Sequence, residues 1–366
     1  MRGVNWLGDA VMTTPALLRL RERFPKAHLV LLSPLKLCDV WRQHPAIDEV
    51  IAIEAGESLF SVGRKLREKQ FDLALVLPNS PRAALEVWLA KIPQRIGYAR
   101  PWRNWFLTQA ISPRPGHAQM RKRSVVKIKQ LAAGNSESRT QNPEFSNSAH
   151  QVHEYLHLAA ALGANPELLP PQLVVTQEEI EATKKKFGLE KIARPILGLN
   201  PGAEYGPAKR WPTLRFVAVA DKIQQRTDCV WLILGGKGDV LIANVIENGM
   251  RVLTEGRSAK INLAGKTSLR ELMALLKSCR VLLTNDTGPM HVAAALGTPV
   301  VVPFGSTSPE LTGPGLPGDP RHRLLKSDAP CAPCFLRECP IDFRCMTGIS
   351  VERVVEAVVE ASNRHG

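Results

Sequence analysis

Short apolar runs alternate with helix-period segments along nearly the whole chain. Contiguous apolar residues predict strands at 28–33, 50–53, 73–77, 195–200, 230–235, 281–285 and 299–305. Amphipathic spacing predicts helices at 15–24, 58–69, 81–91, 152–162, 177–187, 213–226, 268–278 and 289–296. Strands that are apolar on both faces and separated by helices imply parallel sheets covered on each side. The pattern runs twice. One set ends near residue 111 and a second opens near 195, so the expected architecture is α/β with two doubly wound, Rossmann-like domains. Open parallel sheets take ligands outside the carboxyl ends of their strands, and two such domains facing a central cleft would suit a transfer reaction.

Between the two sets the composition changes. Residues 114–150 open with "RPGHAQMRKRSVVKIK", a basic and helix-compatible stretch, and continue into a polar loop, "AAGNSESRTQNPEFSNSAH". The expected division is a first domain over 1–172 carrying 114–150 as an insertion, and a second over 173–349. A C-terminal amphipathic helix over 350–366 places Val351, Val354, Val355, Val358 and Val359 on one face.

Composition narrows the function classes. Of 366 residues, 44% are hydrophobic and 22% charged, the profile of a globular protein. No apolar stretch approaches the roughly 20 residues of a membrane span, and the first residues do not read as a secretory signal, so a cytoplasmic location is expected. A net charge of +14 favours anionic partners: nucleic acid, an anionic membrane or a phosphorylated substrate. No nucleic-acid motif and no aromatic-basic interleaving accompany that charge, and nucleic acid is not an expected partner.

Chemistry concentrates in four places. In "VLLTNDTGPMHVAAALG", a strand ends at Thr284, a turn follows, and a helix starts near Pro289. The N–H groups of that helix start form an anion site, with Asp286, Thr287, Gly288 and His291 around a diphosphate; capping by Asp286 or Thr287 is the plainer reading. The Gly- and Pro-rich loop "LNPGAEYGPAKRWP" carries Glu204 and Lys209, and a lysine there stabilises a departing diphosphate. In "LILGGKGD", Asp239 is placed to meet ribose hydroxyls, though Gly-Gly turns are common. Near the start, "NWLGDA" puts Asp9 beside a helix start after Asn5, Trp6 and a turn at Gly8. Asp9 reads either as an N-cap or as a general base. Cys331, Cys334, Cys339 and Cys345 read mainly as structural thiols, with a metal cluster as the minor alternative.

Together "RGVNWLGDAVMTTPAL", "NPGAEYGPAKRWP", "NDTGPMHVAAALGTPVVVPFGSTSP" and "CAPCFLRECPIDFRCM" resemble glycosyltransferase family 9, and within it the lipopolysaccharide heptosyltransferases of the heptosyltransferase II kind. The resemblance implies the GT-B fold, with ADP-heptose held by the second domain and the heptosyl-Kdo inner core on lipid A received by the first. It implies an inverting transfer with Asp9 as general base and Lys209 on the diphosphate. Glu204, Asp239, Asp286, Thr287, Gly288 and His291 fall on the donor side, and Asn5, Trp6 and Gly8 on the acceptor side. No cofactor is required beyond the donor substrate; divalent-metal dependence stays open. Peripheral contact with the anionic cytoplasmic face of the inner membrane also stays open. A different family 9 acceptor, or a nucleotide-sugar epimerase on the same fold, is the alternative.

Two departures from the family pattern stand out. The short apolar strand that precedes "RGVNWLGD" in the family is missing here or reduced to residues 1–4, which predicts exposed neighbouring strands, a poorly anchored Asp9, and natural residues upstream of Met1. The 114–150 segment is longer and more polar than the family needs.

Overall fold

The computed structural model describes residues 1–133, 145–253 and 259–363. In chain order the first elements are α1 (Leu7–Arg23), β1 (Val30–Pro34), β2 (Glu49–Ile53), α2 (Leu59–Glu68), β3 (Leu73–Val76), α3 (Pro81–Leu89), β4 (Gln94–Tyr98), β5 (Gln109–Ile111), α4 (Val125–Ala132) and α5 (Val152–Ala160). They continue with α6 (Gln177–Lys186), β6 (Ile196–Asn200), α7 (Thr213–Arg226), β7 (Val230–Ile233), α8 (Val240–Leu253), β8 (Ala259–Asn262), α9 (Leu269–Ser278) and β9 (Val281–Thr284). The last are α10 (Gly288–Ala295), β10 (Val300–Phe304), α11 (Pro309–Thr312), β11 (Arg323–Lys326), α12 (Arg344–Thr347) and α13 (Val351–Asn363).

The chain divides into two compact units, one of residues 1–117 and 149–174, the other of 118–148 and 175–366. The basic segment expected as an insertion in the first domain therefore groups with the second. The cause is local packing: Ile128 and Leu131 of α4 are buried against Cys331 and Cys334. The Arg123 amide donates to the Cys334 carbonyl at 3.0 Å, and Arg344 Nη1 donates to the Ala132 carbonyl at 2.8 Å. The polar half of that segment, 134–144, lies outside the described residues.

In the first unit β1 pairs with β2, and β3, β4 and β5 form a second parallel set. Residues 1–3 join the two sets. Arg2 bridges in parallel to both Leu32 and Val76. The Gly3 amide donates to the Leu32 carbonyl at 2.8 Å, and the Arg2 amide to the Leu75 carbonyl at 2.9 Å. The first strand is thus reduced to about one bridge but still closes the sheet, in the order β2-β1-(1–3)-β3-β4-β5. Its neighbours are covered, not exposed: Leu31, Leu75 and Val76 are fully buried. Counting the short segment first, this is the 3-2-1-4-5-6 order of a Rossmann sheet.

Helix α1 starts at Leu7, eight residues before its predicted start. Pro15 sits inside it, where the missing N–H frees the Val11 carbonyl. The Thr14 hydroxyl donates to that carbonyl at 2.8 Å, so the helix continues through the proline. Gly8, expected in a turn, lies in the first helical turn.

The second unit holds one six-stranded parallel sheet, β11-β10-β9-β6-β7-β8. Counted within the unit, it has the same order. Trp211, Phe216 and Trp231 fill its core, and α13 buries Val354, Val355 and Val358 against them. Val351 and Val359 pack at the margin of that core, which accounts for the valine face of the terminal helix.

Candidate active site

Strands β6 and β9 are adjacent and parallel, with Asn200 opposite Thr284 at their carboxyl ends. The strand order reverses between them, and in such sheets that point is where ligands bind. The loop after β6 and the turn after β9 therefore emerge side by side. Asn285 ties them together: its Oδ1 accepts from the Trp211 amide at 2.9 Å, and its Nδ2 donates to the Pro201 carbonyl at 2.7 Å.

This junction brings Lys209 to Asp286. Lys209 Nζ lies 2.6 Å from Asp286 Oδ2, and the two side chains are only 14% and 4% exposed. The Thr307 hydroxyl, from the loop after β10, donates to the same carboxylate oxygen at 2.5 Å. The ammonium also sits 4.9 Å from the centre of the Tyr205 ring, with the Arg337 guanidinium 5.2 Å from the same ring. The Tyr205 hydroxyl donates to the Phe335 carbonyl at 2.9 Å, which holds the ring in place. Asp286 fixes the lysine, and the remaining ammonium protons are available to an anion.

Beside this pair, α10 begins at Gly288, with Thr287 as an extended N-cap whose side chain makes no capping bond. Pro289 occupies the first turn, and His291 is buried one turn in. The helix start and the lysine present positive charge next to each other.

The structure places the other residues expected on the donor side less centrally. Glu204 is exposed on the β6 loop. Asp239 ends a short 3-10 turn after β7, and its Oδ2 accepts from the Gly236 amide at 3.0 Å. A Cβ on Gly202 would come within 2.4 Å of the Asp239 carboxylate, so a side chain there would displace Asp239 from this turn. A cavity of about 670 Å³ opens at the carboxyl ends of β10 and β11, lined by Phe304, Thr307, Glu310, Lys326 and Asp328 among others. Thr307 connects that cavity to the Lys209–Asp286 pair. It was not singled out from the sequence, although it stands three residues after β10 within a quoted motif. Tyr205 carried no separate signal.

In the first unit, Asn5 and Trp6 follow the short first strand, and Asp9 occupies the first turn of α1. This is again the loop at the reversal of strand order. Asp9 is half-buried, and Gln151 Nε2 reaches its Oδ1 at 3.4 Å while donating to the Tyr155 hydroxyl at 2.8 Å. Burial pushes the Tyr155 phenol well up, and the Asp9 carboxylate adds to that shift. Arg2 anchors the approach to Asp9. Its Nε meets the fully buried Glu86 carboxylate at 2.7 Å, and its Nη2 donates to Asn5 Oδ1 at 3.2 Å. The segment that leads to Asp9 is therefore anchored despite the short strand before it. Trp6 is exposed, with Lys36 Nζ 5.4 Å from its ring centre.

The cysteines are free thiols. Among the described residues no three His, Cys, Asp or Glu side chains are placed to hold a metal ion. Burial pushes the Cys345 thiol up to about 12, with Cys331, Cys334 and Cys339 adding to the shift. Thiols raised in this way pack as small apolar groups.

Known proteins resemble this chain in sequence and in fold. The family model described as glycosyltransferase family 9 (heptosyltransferase) covers residues 59–343. Lipooligosaccharide heptosyltransferase 2 of Haemophilus ducreyi is 31% identical over 328 residues, which is 85% of this chain and 84% of that protein. Lipopolysaccharide heptosyltransferase 2 of Escherichia coli K12 is also 31% identical, over 319 residues and the same shares. The solved structure of Escherichia coli ADP-heptose lipopolysaccharide heptosyltransferase II superposes with a TM-score of 0.77 at 28% identity, covering 99% of this chain and 98% of that one. The GT-B class expected from the sequence, with two Rossmann-like α/β units, is the fold of this chain. The chain belongs to glycosyltransferase family 9, the heptosyltransferases.

Proposed function

We propose that this glycosyltransferase moves L-glycero-D-manno-heptose from ADP-heptose to the heptosyl-Kdo inner core of a lipopolysaccharide acceptor. The observation that carries the reading is the Lys209–Asp286 pair at the strand-order reversal of the second unit, beside the start of α10. A diphosphate seated there meets an oriented ammonium and a helix dipole, which stabilise the charge that grows as the sugar–phosphate bond breaks. In the first unit Asp9 acts as the general base. The acceptor oxygen attacks the anomeric carbon, Asp9 takes the hydroxyl proton, and ADP leaves from the opposite face with inversion. Glu204, Asp239, Thr287, Gly288 and His291 serve the donor, and Asn5, Trp6 and Gly8 border the acceptor.

The net charge of +14 fits a phosphorylated acceptor embedded in an anionic leaflet. The enzyme works from the cytoplasmic side, in peripheral contact with the inner membrane. No helix of the described residues is long and apolar enough to cross a membrane.

The test is to incubate the protein with ADP-heptose and a lipid A core acceptor bearing Kdo and one heptose. The expected product is heavier by one heptose with inverted anomeric configuration. Conversion of ADP-heptose to an isomer without acceptor would move the assignment to an epimerase. Transfer only to a differently decorated core would change the acceptor.

A further inference from the structure

We infer that the first unit docks on an anionic lipid bilayer through a tryptophan–cation patch formed by Trp88, Trp102 and Trp105 with Lys91, Arg95 and Arg100. This rests on the membrane contact proposed above and says where that contact is made.

Exposure is the first observation. Trp102 is 82% and Trp105 86% exposed, and Trp88 at the end of α3 is 45% exposed. Three of the seven tryptophans of the chain thus lie within 18 residues and face solvent. Exposed singly, such rings need no explanation; clustered, they mark an interaction surface.

The second observation is that the backbone holds them outward. Arg103, between the two most exposed rings, is fully buried; its Nη1 donates to the Pro78 carbonyl at 2.8 Å and to Asn79 Oδ1 at 3.2 Å. Trp102 adopts a left-handed backbone with φ of 63°, uncommon for a bulky residue and retained here beside that anchor. The Arg100 amide donates to Asn104 Oδ1 at 2.9 Å. Phe106, next to Trp105, packs edge-to-face against Trp88 with ring centres 5.7 Å apart, which joins the loop to α3. The loop backbone that carries Trp102 and Trp105 is held in place, so little backbone ordering opposes their insertion.

Charge identifies the partner. From residue 87 to 117 the sequence carries Lys91, Arg95, Arg100, Arg103 and Arg114 and no aspartate or glutamate. Arg103 is buried, and Arg114 is paired with Glu154 at 2.6 Å. Arg95 donates to the backbone carbonyl of Phe106, and Arg100 to that of Ala99, so neither charge is neutralised there. Lys91 is exposed. Tryptophan favours the headgroup level of a bilayer, where an apolar ring and a polar N–H are both satisfied. Nearby cations are drawn to the negative surface potential of an anionic leaflet. Anionic lipid supplies the apolar interface and the negative charge together, which is the combination this stretch presents.

The experiment is flotation of the full chain with phosphatidylcholine vesicles, with and without about 30 mol% phosphatidylglycerol, a content that sets a negative surface potential. The wild-type chain is expected to float with the anionic vesicles and to lose its tryptophan fluorescence to brominated lipid. Trp102→Ser/Trp105→Ser is expected to reduce flotation about ten-fold and to abolish most of the quenching. Lys91→Glu/Arg100→Glu is expected to reduce binding to anionic vesicles by a similar factor, about ten-fold. Unchanged thermal melting of both variants excludes unfolding as the cause. If the wild type binds and both variants bind equally well, the patch is wrong while membrane contact stands. If the wild type binds neither vesicle, the patch and the membrane contact both fall, and heptose transfer is judged by its own assay.

Discussion

Lys209 Nζ and Asp286 Oδ2 are 2.6 Å apart, although 76 residues of chain separate them and each follows a different strand. The contact exists because β6 and β9 are neighbours at the reversal of strand order. A pair this buried is costly to break from one side, because the partner charge is left without compensation.

Lys209→Met should therefore act in two ways. Turnover should fall about 10²- to 10³-fold, the usual range for losing one transition-state donor. Stability should fall by about 3 kcal/mol from the stranded carboxylate. The double variant Lys209→Met/Asp286→Asn should regain most of the melting temperature and none of the turnover. Recovery of turnover in the double variant would make Lys209 a structural residue only.

The buried Arg2–Glu86 pair should matter for stability. Glu86 also accepts from Arg82 Nε at 3.2 Å, so its removal strands Arg2 beneath the sheet. Glu86→Ala should cost about 3–5 kcal/mol in denaturant unfolding. Because Arg2 also holds Asn5, any transfer that remains should show a raised acceptor KM. A loss below about 1 kcal/mol, the range of a surface pair, would contradict this placement.

His44 gives a pH signature. Burial pulls its imidazole down from 6.5 to about 4. Between those values the unfolded chain binds a proton that the folded chain does not, so stability rises with pH across the window. Its contribution is fully present above about pH 6.5, is lost progressively as pH falls to about 4, and is constant below that. The lost amount is roughly 3 kcal/mol. Chemical unfolding from pH 7 to 4 should show a shallower decline for His44→Gln than for the wild type. Parallel declines would place the acid sensitivity elsewhere.

The thiols should be inert in the folded state. Burial raises Cys345 and Cys279 to about 12, which leaves about one part in ten thousand as thiolate at pH 8. Neither should react with a disulfide reagent until the protein unfolds. Rapid labelling of Cys345 in native protein would show that the 331–345 region opens.

Much of this structure was legible in the residues. The strands with continuous apolar runs, such as "PILGLN" and "VLLTN", are central and fully buried as β6 and β9. The missed strands have two causes. β8 reads "AKIN" and β11 reads "RLLK" because both are half-buried sheet edges, where no apolar run is required. In β4, Gln94 and Arg95 open the strand and hide its buried half. The site was legible as residue types but not as contacts. The acidity of Asp286 and the basicity of Lys209 are visible in sequence, whereas their pairing depends on strand order. The 118–133 segment was misplaced because Ile128 and Leu131 look like an ordinary amphipathic face until Cys331 and Cys334 are found beneath them.

In the proposed reaction, donor binding belongs to the second unit and proton removal to Asp9 in the first. The most direct test compares Asp9→Asn with the wild type in two assays: ADP-heptose binding by calorimetry and heptose transfer by mass spectrometry. The prediction is a donor Kd unchanged within about two-fold and a turnover lower by about 10²- to 10⁴-fold, the range for losing a general base. Full turnover in Asp9→Asn, or donor affinity lost in step with turnover, would contradict it.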